Sequence, residues 1–181
     1  MTNKRKAVFF DRDGVILKML CKKGRMEAPQ SIAEFREQSG IIPGANEAIQ
    51  TARDRGFLAI LATNQPDIHY GEITQEDFDS IQAEVAKLPF DDIFICFHGR
   101  EEGCDCKKPK PGLLLQAAKK WDIDLSKSCM LGDTEYDTGA ATSAGCKSIL
   151  LSTSYNTSLG ADYRIASLTD PRFGQILDGL V

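Results

Sequence analysis

The sequence predicts an α/β protein built on one doubly wound parallel sheet. Three observations carry that expectation. Short apolar runs of strand length alternate with longer stretches of helical spacing. Such repetition implies parallel strands joined by right-handed crossovers. A length of 181 residues with 42% hydrophobic content suits one core better than two.

The elements follow in order. Residues 7–10 form the first apolar run, which ends in Asp11-Arg12-Asp13-Gly14-Val15. Residues 18–40 are polar and turn-rich, and read as a loop with one short helix near 32–36. Pro43-Gly44 opens a helix over 45–55 and Gly56 closes it. A second strand over 57–62 runs into Thr63-Asn64. Thr74 with Asp77 resembles a capping box for a helix over 75–88. After a strand over 93–97, Pro111 stands where the first helical residue of 112–121 should be. Runs at 129–131 and 148–151 bracket a helix over 138–144. The tail from 152 to 181 carries a last strand near 163–166 and a closing helix. The whole of 1–181 is expected to be a single domain.

A net charge of −4, with lysines and arginines scattered rather than blocked, argues against a nucleic-acid partner. The basic start Met1-Thr2-Asn3-Lys4-Arg5-Lys6 leads into too few apolar residues for a signal-peptide core or a membrane span. A cytoplasmic monomer acting on a small molecule, with no membrane association, is the expectation. Of six cysteines, Cys96, Cys104 and Cys106 gather around His98, while Cys21, Cys129 and Cys146 are scattered. In a reducing compartment the cluster reads as a metal site rather than as disulfides.

The chemistry begins with Asp11 and Asp13 at a strand end, where open α/β sheets place ligands. Paired carboxylates there suit Mg²⁺ and a phosphate ester. The plain alternative is a solvated turn. A calcium loop starting at Asp11 fails, because its glycine falls two positions early and Lys22 stands where a Glu is needed. In the functional reading Asp11 attacks phosphorus and Asp13 shuttles a proton. The repulsion between carboxylate and phosphate then has to be screened. Thr63 and Asn64 offer a hydroxyl and an amide to phosphate oxygens, though both are ordinary turn formers. Lys108, within Lys107-Lys108-Pro109-Lys110-Pro111-Gly112, precedes a helix start where charge and helix dipole both face an anion. Asp133 ends a further strand, with Asp137 four residues on, and with Asp11 it completes an oxygen shell for Mg²⁺.

Taken together, Asp11-Arg12-Asp13-Gly14-Val15, Thr63, Lys108-Pro109 and Gly132-Asp133 with Asp137 resemble the haloacid dehalogenase-like phosphatases over nearly the whole chain. The resemblance implies a Rossmann-like doubly wound sheet and an aspartyl-phosphate intermediate on Asp11, with Asp13 as acid and base. It makes Thr63 and Lys108 the holders of the phosphoryl group. Magnesium falls to Asp11, Asp133 and Asp13, the last through its backbone carbonyl, with Asp137 in support. Too few residues separate these motifs for a separate cap domain, so the site should be open.

Cys96-Phe97-His98 and Cys104-Asp105-Cys106 place three thiolates and an imidazole within eleven residues. That set suits a closed tetrahedral Zn²⁺ of structural role, pinning the 96–106 loop that leads into Lys107 and Lys108. Buried cysteines beside an incidental histidine are the plain alternative. The zinc loop and Lys-Lys-Pro-Lys-Pro-Gly resemble the D-glycero-D-manno-heptose 1,7-bisphosphate 7-phosphatases and the related histidinol-phosphatase domain. The Pro-x-Pro-Gly favours the first, whereas the five-residue gap between His98 and Cys104 is closer to the second. Lys107 stands where an arginine is usual, and Asn64-Gln65-Pro66-Asp67-Ile68 replaces Asn-Gln-Ser-Gly. A lysine lacks the bidentate fork of arginine, so specificity is expected to differ. Asn64 and Lys107 are the expected substrate contacts, with Lys18, Lys22, Lys23, Arg25 and Arg100 available to a second phosphate. The rival from another class is a phospho-ligand-binding protein that has lost catalysis; Asp11, Asp13, Lys108 and Asp133, all present, argue against it.

Overall fold

The computed structural model describes residues 4–180, so that Met1-Thr2-Asn3 of the basic start and Val181 of the tail lie outside the described residues. In chain order come β1 (Lys6–Phe10), a hairpin of β2 (Leu20–Lys22) and β3 (Arg25–Glu27), and α1 (Ile32–Glu34), which continues as a π-turn over Phe35–Ser39. Next are α2 (Ala45–Asp54), β4 (Phe57–Asn64), α3 (Asp67–Tyr70), α4 (Gln75–Val85) and β5 (Asp92–Cys96). The second half holds α5 (Gly112–Trp121), β6 (Cys129–Gly132), α6 (Glu135–Ala144), β7 (Lys147–Leu151), β8 (Tyr163–Ile165) and α7 (Pro171–Asp178).

The main sheet has the order β5-β4-β1-β6-β7-β8, and every pair is parallel. Its strands read as continuous apolar runs because both faces are covered. Along β1, Val8 and Phe10 join one core with Ile49, Ile81 and Phe173. Ala7 and Phe9 point into the other, with Leu113, Leu114 and Ala141. From β1 the chain winds outward through β4 and β5, then returns to the other side of β1 for β6, β7 and β8. Winding therefore reverses beside β1, and a crevice opens at the strand ends flanking Asp11.

Three segments depart from the sequence reading. Residues 20–27 form a hairpin rather than a loop. Its turn, Lys23-Gly24, has both φ angles positive, at 49° and 78°. This is the backbone of a two-residue type I′ turn, concealed by a lysine where Asn or Asp would announce it. Between β4 and α4, where the sequence reading placed no element, α3 forms a single turn closed by Gly71 at φ 70°, too short to leave a periodic signal. Helix α6 starts at Glu135 rather than 138, because Thr134 and Asp137 cap it reciprocally. Pro111 is the residue before α5 rather than its first, and other helix and strand ends fall within a few residues of expectation. Of the Thr74–Asp77 box one half forms: the Thr74 side chain accepts from the Asp77 N–H at 3.1 Å, while the Asp77 carboxylate accepts from the Thr74 hydroxyl at 2.8 Å.

Candidate active site

Strand β1 delivers Asp11 between the ends of β4 and β6, and the Asp11 N–H donates to the carbonyl of Leu131 at 3.0 Å. Both hydrogen-bond partners of its carboxylate engage Oδ1: the Arg12 N–H at 2.8 Å and Lys108 Nζ at 2.8 Å. The Asp13 carboxylate has other partners. Arg12, almost wholly buried, grips both its oxygens at 3.0 and 3.1 Å, and Gln65 Nε2 donates to Oδ2 at 2.6 Å. Gln65 also donates to Thr63 Oγ1 at 3.0 Å. Thr63 itself is buried and lines neither of the cavities described below.

Lys108 is the cationic centre. Its Nζ lies 2.8 Å from Asp11 Oδ1 and 2.5 Å from Asp137 Oδ1, and the side chain is buried. Burial works against its charge, but Asp11 and Asp137 outweigh that and hold the ammonium above its ordinary pKa. Asp137 Oδ2 meanwhile accepts from the N–H groups of Asp133 and Thr134 and from the Thr134 hydroxyl. Both Asp137 oxygens are thus engaged. Gly132 makes this packing possible, since a Cβ there would lie 2.1 Å from the Cβ of Asp137.

Asp11, Asp133 and Asp137 each offer a carboxylate oxygen, all within 4.8 Å of one another. Asp133 Oδ1 is buried with no hydrogen-bond partner among the described residues. Burial first, and then neighbouring carboxylates, push Asp11 up to about 6 and Asp133 up to about 8. Four carboxylates, Asp11, Asp13, Asp133 and Asp137, face two cationic side chains, Arg12 and Lys108. The surplus equals the charge of one divalent cation. An all-oxygen donor set with an orphaned, buried carboxylate oxygen fits Mg²⁺.

These residues floor a cavity of about 490 Å³ whose far wall is the β2–β3 hairpin, through Gly24, Arg25 and Met26. A second cavity of about 1030 Å³ adjoins it through Asn64, Lys108 and Tyr136, and is lined by Tyr70, Arg100 and Lys107. Of the other basic residues noted in the sequence, Lys22 pairs with Glu34 at 2.6 Å. Both ends of the Asn64 amide are occupied by the Lys108 backbone, and Lys107 Nζ donates to the His98 carbonyl at 2.8 Å.

Cys96, His98, Cys104 and Cys106 converge with one ligand atom each. Five of their six S···S and S···N separations run from 3.0 to 3.7 Å, and all lie within 4.8 Å. A zinc tetrahedron with bonds of about 2.3 Å to sulfur has edges of roughly 3.8 Å, so a small outward relaxation admits the ion. The cluster is tied to the catalytic loop. Lys110 Nζ donates to the carbonyl of Cys104 at 2.8 Å, and the Gly112 N–H donates to that of Asp105 at 3.1 Å. A Cβ on Gly112 would lie 2.2 Å from that same carbonyl oxygen.

Two further residues at the site carry no sequence signal. Tyr155 donates its hydroxyl to Asp133 Oδ2, and Asn156 donates to the Asp133 carbonyl at 2.8 Å. Both come from a polar stretch after β7 that reads as an ordinary loop, and only the tertiary fold brings them to Asp133.

Comparison with known proteins agrees with this geometry. Residues 23–145 match the haloacid dehalogenase-like hydrolases. The D-glycero-beta-D-manno-heptose-1,7-bisphosphate 7-phosphatase of Helicobacter pylori is 38% identical, over 82% of this chain and 84% of its own. A D-glycero-alpha-D-manno-heptose-1,7-bisphosphate 7-phosphatase of Campylobacter jejuni is 36% identical, over 82% and 83%. The crystal structure of the D,D-heptose 1,7-bisphosphate phosphatase of Bordetella bronchiseptica, complexed with magnesium and phosphate, superposes with a TM-score of 0.77 at 27% identity, covering 96% of this chain and 99% of that one. With its site at the reversal of a parallel sheet and these matches along its length, the chain belongs to the haloacid dehalogenase-like hydrolases.

Proposed function

We propose that this chain is a Mg²⁺-dependent phosphatase that removes the 7-phosphate of D-glycero-D-manno-heptose 1,7-bisphosphate through an aspartyl-phosphate on Asp11. The observation that carries the reading is the meeting of Asp11 with Lys108 at 2.8 Å beside Asp133, three side chains far apart in sequence. The names of the relatives support the substrate.

In the first half-reaction the Asp11 carboxylate attacks phosphorus, and the bond to the sugar oxygen breaks as Asp13 gives that oxygen a proton. In the second, Asp13 takes a proton from the water that attacks the phosphorus of the acyl phosphate, and inorganic phosphate leaves. Arg12 and Gln65 hold Asp13 for both transfers. Lys108 offsets charge on the phosphoryl oxygens and on Asp11. Mg²⁺, held by Asp11, Asp133 and the Asp13 carbonyl, supplies further charge neutralisation when bound. Thr63 and Asn64 are assigned to positioning, through Gln65 and Lys108. Lys107 and Arg100 line the larger cavity, where the second phosphate of a bisphosphate would lie. Zn²⁺ on Cys96, His98, Cys104 and Cys106 is structural.

The chain acts as a single catalytic domain with the β2–β3 hairpin in place of a cap, as a cytoplasmic monomer. Among the described residues, no helix is long and apolar enough to cross a membrane. Histidinol phosphate is the second reading, resting on the short His98–Cys104 gap.

The test is phosphate release with Mg²⁺ from both heptose bisphosphate anomers, histidinol phosphate, fructose 1,6-bisphosphate and an aryl phosphate. Preference for a heptose anomer is expected, and Asp11→Asn should be inactive yet folded and zinc-loaded. Turnover by Asp11→Asn near the wild-type rate would remove the nucleophile from the mechanism. Silence of the wild type on every substrate would favour a binding protein.

A further inference from the structure

We propose that Tyr155 is a positioning residue for the cation site, fixing which oxygen of Asp133 is left for the metal. The inference rests on the reading of Asp133 as a magnesium ligand given above.

The two oxygens of Asp133 stand in unlike surroundings. Oδ2 accepts the hydroxyl hydrogen of Tyr155. Oδ1 is buried and has no partner among the described residues. A buried carboxylate oxygen without a donor is costly unless something from outside the protein takes it. The tyrosine therefore divides the carboxylate, satisfying one oxygen and leaving the other for a cation. The carboxylate also lies against Gly14, where a Cβ would be 2.1 Å from Oδ2, the oxygen that Tyr155 holds. Packed against Gly14 and bonded to Tyr155 through Oδ2, Asp133 has little rotational freedom to lose when a metal binds.

The loop that presents Tyr155 is fastened to the main chain of Asp133 by the Asn156 side chain. Asn156, fully buried, donates to the carbonyls of Asp133 and Leu151, both at 2.8 Å. Its Oδ1 accepts from the Thr153 N–H and from Arg164 Nη1, both at 3.0 Å. Arg164 Nη2 donates to the carbonyls of Asn156 and Leu159 at 3.1 and 2.6 Å. The main chain and side chain of Asp133 are thus held from one loop. Tyr155 is 40% exposed and lines the smaller cavity, so Tyr155→Phe removes the hydroxyl and leaves the packing.

The experiment is a calorimetric titration of MgCl₂ into the zinc-loaded protein without substrate, for wild type, Tyr155→Phe and Asp133→Asn. Partners behind a metal ligand are typically worth 10–100-fold in affinity, so Tyr155→Phe should bind Mg²⁺ about tenfold more weakly or worse. Its melting temperature in Mg²⁺-free buffer should fall by no more than the loss of one hydrogen bond explains, and KM for an aryl phosphate at saturating Mg²⁺ should be unchanged. Wild-type affinity in Tyr155→Phe, with binding lost in Asp133→Asn, would overturn the role of Tyr155 and keep Asp133 as ligand. Undiminished binding by Asp133→Asn would overturn both. Loss of affinity accompanied by a loss of stability in the Mg²⁺-free protein well beyond that of one hydrogen bond would make the hydroxyl a structural contact and overturn the assignment too.

Discussion

Asn64 holds the backbone of Lys108 at both ends: its amide nitrogen donates to the Lys108 carbonyl at 3.1 Å, and its amide oxygen accepts from the Lys108 N–H at 3.0 Å. The end of β4 is thereby fastened to the loop that carries the central cation. On the proposed function, Asn64 would act on phosphate through the backbone of Lys108 that it holds.

Asn64→Ala should therefore lower kcat while leaving KM little changed. Displacing Lys108 by about an ångström is enough for a loss of roughly 100-fold. Losing two neutral hydrogen bonds should cost about 1–3 kcal/mol of stability. Steady-state kinetics and urea unfolding measure both. A raised KM at unchanged kcat would instead return Asn64 to the substrate.

Lys108→Met tests the electrostatics directly. Asp11 and Asp137 both lean on Lys108 Nζ, and all three side chains are buried. Removing one partner of a buried ion pair typically costs about 3–5 kcal/mol. The variant should be inactive and destabilised by about that much without Mg²⁺, and saturating Mg²⁺ should recover part of the loss. Urea midpoints with and without the ion report the difference. A wild-type midpoint without Mg²⁺ would mean that the acids take up protons instead.

Gly132→Ala tests close packing rather than charge. Its new methyl would fall 2.1 Å from the Cβ of Asp137 and 2.3 Å from its Cγ. Asp137 has to move, and with it the N-terminus of α6 and the anchor of Lys108. Overpacking of this kind costs about 1–3 kcal/mol, and phosphate release should be lost at the same time. Thermal melting and a phosphate assay on one preparation show whether the two losses occur together.

The parallel strands were legible because burial on both faces leaves an unmistakable apolar run, as in Val8-Phe9-Phe10, with chemistry at its end. The carboxylates and Lys108 were legible for the same reason, since each stands at a strand or helix boundary. What escaped was tertiary or masked. Lys23 adopts a positive φ that its identity does not advertise, so the hairpin walling the site read as loop. Gln65, Tyr155 and Asn156 work through partners 22 to 52 residues away, a distance no local pattern encodes. The cap of α6 was legible in principle, in Thr134 and Asp137, but Asp137 was already taken up by the reading of the site.

Thiol reactivity gives a final prediction, because the six cysteines fall into three environments. Cys21 is exposed, Cys129 and Cys146 are buried away from the site, and the remaining three converge with His98. Burial pushes the Cys146 thiol up to about 12 and Cys129 well above its ordinary value, so neither supplies thiolate at neutral pH. With zinc bound, a disulfide reagent should titrate Cys21 alone. A chelator should then expose Cys96, Cys104 and Cys106 together with release of about one zinc per chain, while Cys129 and Cys146 should wait for denaturant. Metal loss should also reduce turnover, because Lys107 and Lys110 are anchored on carbonyls of the 96–106 loop and Lys108 stands between them. Cluster thiols that react before any chelator is added would mean that zinc does not close the loop. Full activity after zinc release would mean that Asn64 and Asp137 hold Lys108 in place unaided.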